Sequence, residues 1–288
     1  MAGASDKRRR VSARVDRPTD RIGDLPDDLL RRVLSQLTSR EAVHTSLLSK
    51  RWRHLWRSVP IINVSFEEFE DRAAEDEIER EEMFKDFVND LLEHRNNDDL
   101  DEFRLLYSST TVDSSADANQ WISHVLQLNA KAVKVVDWVR PIDLDNAVFS
   151  SYYLKRLHIS SATMGPGFFH QLQTSCPALE YLYLYDCFIQ DLVNFSNTLK
   201  VLILSEDVEF KGHASISAPN LISLSIEGNF RGTMLPTLVN MASLQTASVL
   251  LRGDMIACDA HAISQLLASL SDVTSLDFCY GANRICFI

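Results

Sequence analysis

Three tyrosines at alternate positions, Tyr181, Tyr183 and Tyr185, stand downstream of Arg104, Lys134, Arg156 and His158; these are the side chains of this 288-residue sequence whose types and spacing suit chemistry. That chemistry is recognition rather than bond-making. Tyrosine and arginine combine large contact area with a polar handle, and they carry much of the energy where proteins meet. Alternate residues of a strand share a face, so the tyrosines would stand side by side on one surface. Strand preference for aromatic rings accounts for any one of them, but less readily for three in consecutive outward positions.

Signatures of bond-making are missing from the sequence: there is no GxGxxG after a strand, no GxxxxGK[ST], no HExxH and no GxSxG. Gly165-Pro166-Gly167 is a loop signal. The eight histidines are dispersed, and His158, on an outward strand position, is expected to titrate near neutral pH. Five cysteines, Cys176, Cys187, Cys258, Cys279 and Cys286, form no CxxC pair, which fits reduced thiols of the cytosol or nucleus. The expectation is a chain with no catalytic residue, cofactor or metal.

What must position the tyrosines and the basic groups is a repeat. The spacing LxxLxL recurs from Leu100, Ala130, Leu154, Leu179, Leu199, Leu221, Leu244 and Val273, with successive starts 30, 24, 25, 20, 22, 23 and 29 residues apart. Most of those periods are those of leucine-rich repeats, whose stacked strands build a curved parallel sheet. With template positions four and six turned inward, positions three, five and seven face out along the concave side. That face would carry a basic group, then the tyrosine ladder, then the apolar pair Val201 and Ile203. Position nine turns inward where the chain leaves the strand, and it is Cys187 in one repeat and Asn229 in another. Cys187 is therefore read as structural. Segments 118–128 and 261–270 have helical apolar spacing and should cover the other side.

Ahead of the repeats, residues 20–57 read DRIGDLPDDLLRRVLSQLTSREAVHTSLLSKRWRHLWR. Leu25, Leu29, Leu30, Val33, Leu34 and Leu37 mark one helical stripe, with Pro26 at a first helical position and Asp27 and Asp28 on the positive end of the helix dipole. Thr38 and Glu41 form a capping box that starts a second helix near Ser39. A third short helix carries Trp52, Leu55 and Trp56. A unit this small buries too little to be comfortable alone, so its large apolar side chains call for a second surface.

The Leu25-Pro26 opening, the Leu29 to Leu37 stripe and the SKRW segment resemble, in order, an F-box of the kind found in plant F-box proteins with leucine-rich repeats. The resemblance implies an α/β fold: a small N-terminal three-helix F-box followed by a leucine-rich-repeat solenoid. It also implies binding of the Skp adaptor, and through it a cullin, in a Skp–cullin–F-box ubiquitin ligase. Leu25, Pro26, Leu29, Val43, Leu47, Leu48 and Trp52 are the residues expected to face that adaptor. Arg104, Lys134, Arg156, His158, Tyr181, Tyr183 and Tyr185 are expected to face a target protein. An interaction protein that recruits no cullin, or a small-ligand sensor using Arg104, Lys134 and Arg156, are the alternatives.

The chain then divides into a disordered basic leader (1–19), the F-box (20–58), an acidic linker with a capping helix (59–99) and the repeat domain (100–288). Residues 67–82 hold ten acidic side chains in sixteen, a pattern that is usually solvated. Residues 1–60 hold 14 basic against 7 acidic groups, a charge of +7, within a chain of net charge −11, leaving −18 for the remainder. A basic head on an acidic body argues against nucleic acid as a partner. No long apolar run suggests a membrane span, and a nuclear or cytoplasmic location is expected, with the basic tract at 7–10 either an import signal or a simple leader. Related chains continue into an FBD-type region, which this sequence does not evidently contain. The apolar 285–288 end looks a poor cap for a solenoid, which suggests a truncated or alternatively ended product.

Overall fold

The computed structural model describes residues 22–69, 76–108, 114–137, 139–191, 193–229, 235–252, 260–281 and 283–287. The 1–19 leader with its basic tract, part of the acidic run (70–75) and Cys258 lie outside the described residues.

Helix α1 (Asp27–Leu34) begins one residue after the sequence pattern places it. Pro26, with φ −56° and ψ 149°, is the cap, and its carbonyl accepts from the Leu29 and Leu30 N–H groups at 3.0 and 3.1 Å. Helix α2 (Ser39–His44) starts on the expected capping box: Glu41 N–H donates to Thr38 Oγ1 at 3.2 Å and Thr38 N–H to Glu41 Oε2 at 3.0 Å. The third helix is a 3₁₀ coil over Trp52–Ser58, preceded by another at Thr45–Leu47. Three residues per turn put Trp52 and Leu55 on one edge and rotate Trp56 away from it. Trp52 and Leu55 accordingly join Leu30, Leu34, Ala42 and Val59 in a small closed core, with Trp56 only half-buried.

The rest of the chain alternates strands with connecting segments: β1 (Ile61–Ser65), α3 (Glu77–His94), β2 (Glu102–Tyr107), α4 (Ser114–Gln127), β3 (Ala132–Asp137), β4 (Ile142–Leu144), β5 (Arg156–Met164), α5 (Phe168–Ser175) and β6 (Tyr181–Ile189). It continues through β7 (Val193–Phe195), β8 (Val201–Ser205), β9 (Glu209–Phe210), β10 (Ser215–Ser217), β11 (Ser223–Asn229), β12 (Thr237–Val239), β13 (Thr246–Arg252), α6 (Ala260–Ser269), β14 (Ser275–Tyr280) and β15 (Asn283–Phe287). Strands β1, β2, β3, β5, β6, β8, β11, β13 and β14 pair in that order, all parallel. A second sheet of β7, β10 and β12, also parallel, carries part of the return path. Sequence order and sheet order coincide because each crossover returns the chain beside the strand it has just left.

The template is visible as rows across the sheet. Phe103, Val133, Leu157, Leu182, Leu202, Leu224 and Ala247 lie opposite one another from strand to strand, and two residues on so do Leu105, Val135, Ile159, Leu184, Leu204, Ile226 and Val249. All are buried in the main core. At roughly 1.5–3 kcal/mol for each large aliphatic or aromatic side chain taken from water, these rows are the chief source of stability.

The sheet starts earlier than the template does. Ile62 and Val64 of β1 sit opposite Phe103 and Leu105 of β2, so the 59–99 segment holds the first strand and the repeat sheet does not begin at residue 100. Of the described acidic residues in 67–82, Glu67, Asp76, Glu77, Glu79 and Glu82 are exposed as expected, and Glu81 is the buried exception. Asp76 caps α3 by accepting from the Ile78 N–H at 3.2 Å, and Glu81, 1% exposed, accepts from Tyr107 Oη at 3.0 Å and meets Lys85 Nζ at 3.1 Å. Lys85 in turn reaches Asp117 on α4 at 2.9 Å. Phe66, Phe84, Tyr107 and Trp121 pack around this group.

Position eight is where the strands turn. Ser161, Asp186 and Glu206 have φ of 53°, 51° and 55°, and Gly228 has φ of 151°. Ser161 and Asp186 are skipped in the β5–β6 pairing, which resumes at Ala162 and Cys187. At Gly228 the backbone of the preceding repeat leaves no room: a Cβ there would stand 2.0 Å from the Glu206 carbonyl oxygen. Cys187, at position nine, points inward as expected, 3.2 Å from the Tyr185 carbonyl oxygen, and burial pushes its thiol up to about 12. The side chain of Asn229 lies outside the described ones. The C-terminal stretch read as a poor cap supplies β15, whose backbone pairs antiparallel with β14.

The helical unit is docked on the near end of the sheet. Asn63 N–H of β1 donates to Ser39 Oγ at 2.9 Å, Thr38 Oγ1 to Glu68 Oε2 at 2.7 Å, and the Arg40 guanidinium lies 4.5 Å over the Phe69 ring. From α3's end, Arg95 Nη1 donates to the Val59 carbonyl at 2.6 Å, while Val43 and Trp56 pack on the main core.

Candidate interaction surfaces

With its own core closed and one side held against β1, the helical unit still exposes large apolar side chains. Leu47 and Leu48 are 85% and 71% exposed, and Leu29 and Val33 of α1 are 44% and 46% exposed. The F-box resemblance predicts Leu25, Pro26, Leu29, Val43, Leu47, Leu48 and Trp52 on the outward side. Pro26, Leu29, Leu47 and Leu48 are exposed, and Leu25 is half-buried against the small core. One residue is corrected: Trp52, 8% exposed, belongs to that core; Val43 is half-buried, packed in part on the repeat side. Val33 was missed, because on a helix wheel it shares the stripe of Leu29 and Leu30 and only packing separates inner from outer.

Arg51 is a second residue the pattern could not single out. Its Nη2 meets Asp27 Oδ1 at 2.7 Å, and its guanidinium also donates to the carbonyls of Gly23 and Leu25. That fork ties the start of α1 to the turn before Trp52, and a planar five-donor group is suited to such a junction.

The second surface is the face of the large sheet turned away from the core. Register places Arg104, Lys134, His158, Tyr183 and Ile203 in one row, and Arg156, Tyr181 and Val201 in the next. Tyr185 stands between Ser160 and Ser205. The seven side chains expected at a target surface therefore do share a face. Their chemistry differs from expectation at two of them. Arg104 is held by Glu102 through two bonds of 2.8 Å, which raises its already high pKa and leaves it poorly placed to meet a partner's charge. His158 lies with its ring 4.1 Å from that of Tyr183 and its Nε2 3.1 Å from Ser160 Oγ. Burial first, and the Lys134 charge second, lower its pKa to about 4, so it is neutral at physiological pH rather than poised near 7.

Elsewhere Asp90, Glu93 and His94 bring ligand-type atoms within 4.8 Å of one another on one exposed turn of α3. Burial pushes the Cys176 thiol up to about 11, so neither it nor Cys187 has the depressed pKa of a nucleophile. No helix among the described residues is long and apolar enough to cross a membrane.

Comparison with known proteins brings the two surfaces together. Residues 22–63 match the F-box domain family. An F-box/LRR-repeat protein of Arabidopsis thaliana is 30% identical over 270 residues, covering 81% of this chain and 68% of that protein. Another from the same plant is 31% identical over 271 residues, 80% of this chain and 57% of its own length. The MEIOTIC F-BOX protein MOF of Oryza sativa subsp. japonica is 28% identical over 300 residues, 90% of this chain and 59% of its own. The chain spans about half the length of several curated relatives it matches. An F-box with a closed core and exposed leucines, continued into stacked LxxLxL strands, agrees with those names and coverages, and the chain belongs to the plant F-box/LRR-repeat family.

Proposed function

We propose that this chain is the substrate-receptor subunit of a Skp–cullin–F-box ubiquitin ligase, with the helical unit holding the Skp adaptor and the open sheet face holding a target protein. The observation that carries the reading is the exposure of Leu47 and Leu48 on a unit whose own core is already complete. Side chains of this size left in water beside a closed core suit burial by another polypeptide. The chain contributes proximity: docked on the adaptor through one end and on a target through the other, it raises the local concentration of a target lysine near the ubiquitin carrier. Ser39 and Thr38 of the helical unit bond to Asn63 and Glu68, and Arg95 at the end of α3 bonds back to Val59, holding the helical unit against the start of the sheet, as such a bridge requires.

Co-expression with a recombinant Skp adaptor, followed by size-exclusion chromatography with and without cullin, tests the reading. A three-protein complex is expected. Adaptor without cullin would favour an interaction role without ubiquitin transfer, and a monomer in excess adaptor would remove the assignment.

A further inference from the structure

Among the described residues, two cations on the sheet face have no ion pair, in a chain whose net charge is −11. Lys134 and Arg156 have no ion pair among the described residues, whereas Arg104, the next cation along, is occupied by Glu102. Their placement follows from register. Lys134 is opposite His158, Arg156 stands two residues before His158 on the same face, and Arg156 is itself opposite Tyr181. With strands about 4.8 Å apart and a rise of about 3.3 Å per residue, the two Cα atoms are roughly 8 Å apart on the diagonal. Alternate side chains of an extended peptide recur at about 7 Å. Beyond the cations, Tyr181 and Tyr183 are followed on the next strand by Val201 and Ile203, all half-buried.

We propose that Lys134 and Arg156, with Tyr181 and Tyr183 beside them, dock an extended acidic segment of the target protein that presents carboxylates at two alternate residues and then an apolar side chain. This rests on the receptor reading and names the chemistry of what the receptor takes. A single phosphate would draw both cations to one point, while two carboxylates on alternate residues match the spacing the register imposes. The tyrosines supply an aromatic floor with hydroxyls at its edge, and Val201 and Ile203 receive the apolar residue. His158, neutral against the Tyr183 ring, adds contact area without a third charge. From Lys134 to Val201 the path crosses β3, β5, β6 and β8, about 16 Å, or about five residues of extended chain.

The test is selection from a random heptapeptide display library on the immobilised full chain, run in parallel on a Lys134→Glu/Arg156→Glu variant. Wild type is expected to enrich Asp or Glu at alternate positions ahead of a Leu, Ile or Phe, and the variant to lose that consensus. A synthetic peptide of the consensus should bind roughly five- to thirty-fold more tightly than its Asn/Gln counterpart, the difference shrinking as salt rises. A neutral or basic consensus, no consensus, the same consensus on the charge-reversed variant, or binding only after a phosphoserine is introduced would each overturn the proposal. Should charge reversal unfold the chain, Lys134→Gln/Arg156→Gln provides the same comparison. Adaptor binding is measured on the same preparations: its loss with the acidic consensus kept sinks the receptor reading alone, and the converse sinks this site alone.

Discussion

Leu47 and Leu48 stand almost free in water on a short coil of the helical unit, whereas Val201 and Ile203, the apolar pair of the sheet face, are half-buried among side chains of the strands on either side. The first surface hangs from a core that is complete without it. The second is woven from residues that also touch one another, as in the Arg104–Glu102 pair and the His158–Tyr183 contact. Binding and stability should therefore separate cleanly on the helical unit and remain entangled on the sheet.

The strongest way to break that contrast is through the backbone. Gly228→Ala places a methyl group against the Glu206 carbonyl, a contact the packed neighbouring repeat cannot relieve by rotating a side chain. Chemical denaturation should show a loss of about 4 kcal/mol or more, in the range reserved for backbone conflicts and core disruption. Adaptor affinity per folded molecule should not change. Equal loss of both would show that the helical unit depends on the far repeats. Trp52→Ala comes next: removing a buried indole from a six-residue core should cost about 3 kcal/mol and lower adaptor binding only through unfolding.

Leu47→Asp with Leu48→Asp sharpens the comparison in the other direction. Both side chains are exposed, so thermal stability should stay within about 0.5 kcal/mol of wild type. Adaptor binding, followed by calorimetry, should weaken by about 2 kcal/mol or more if these leucines are anchors. A matching fall in stability would mean the coil from Thr45 to Leu47 is part of the fold and not a spare surface.

How much of this was legible depended on which force set each feature. Hydrophobic spacing sets strand register, and the LxxLxL rows are where the sequence puts them because a shift of one residue would turn every leucine into water. The Thr38–Glu41 cap is equally local. Features set by packing were not legible. The β-branched run 59–66 is legible as a strand, but with just two inward residues, Ile62 and Val64, it shows no repeat period, and the strands of the second sheet are three residues long. Trp52 reads as a binding residue until the 3₁₀ coil turns it inward. Glu81 looks like one more acid in a solvated run until Tyr107, 26 residues on, is seen to reach it. The sheet-face ladder was readable as a set of side chains, but the state of each was not: Arg104 is tied to Glu102, and His158 has lost its charge, because of neighbours that a linear pattern does not weigh.

His158 supplies the smallest effect and the finest test. Its folded pKa of about 4 lies below the ordinary 6.5 of the unfolded chain, so between those values the unfolded state binds more protons. The stability it contributes is complete above pH 6.5 and is lost as the pH falls towards 4. Because the ring is only partly shielded from solvent, the whole effect should be about 1 kcal/mol, seen as a shallow fall in melting temperature over that window. His158→Gln should flatten that part of the profile, as Gln keeps a hydrogen-bonding side chain beside Ser160 but cannot titrate. Burial of the ring sets the sign, and Lys134 across the strand adds to it by opposing a further positive charge, while Tyr183 and Ser160 carry none. An acidic peptide bound over Lys134 and Arg156 would reverse that balance, raising the imidazole pKa and making the fall shallower. A helical-unit variant such as Leu47→Asp should leave the His158 portion of the profile untouched, which makes this titration a measure of how independently the two surfaces behave.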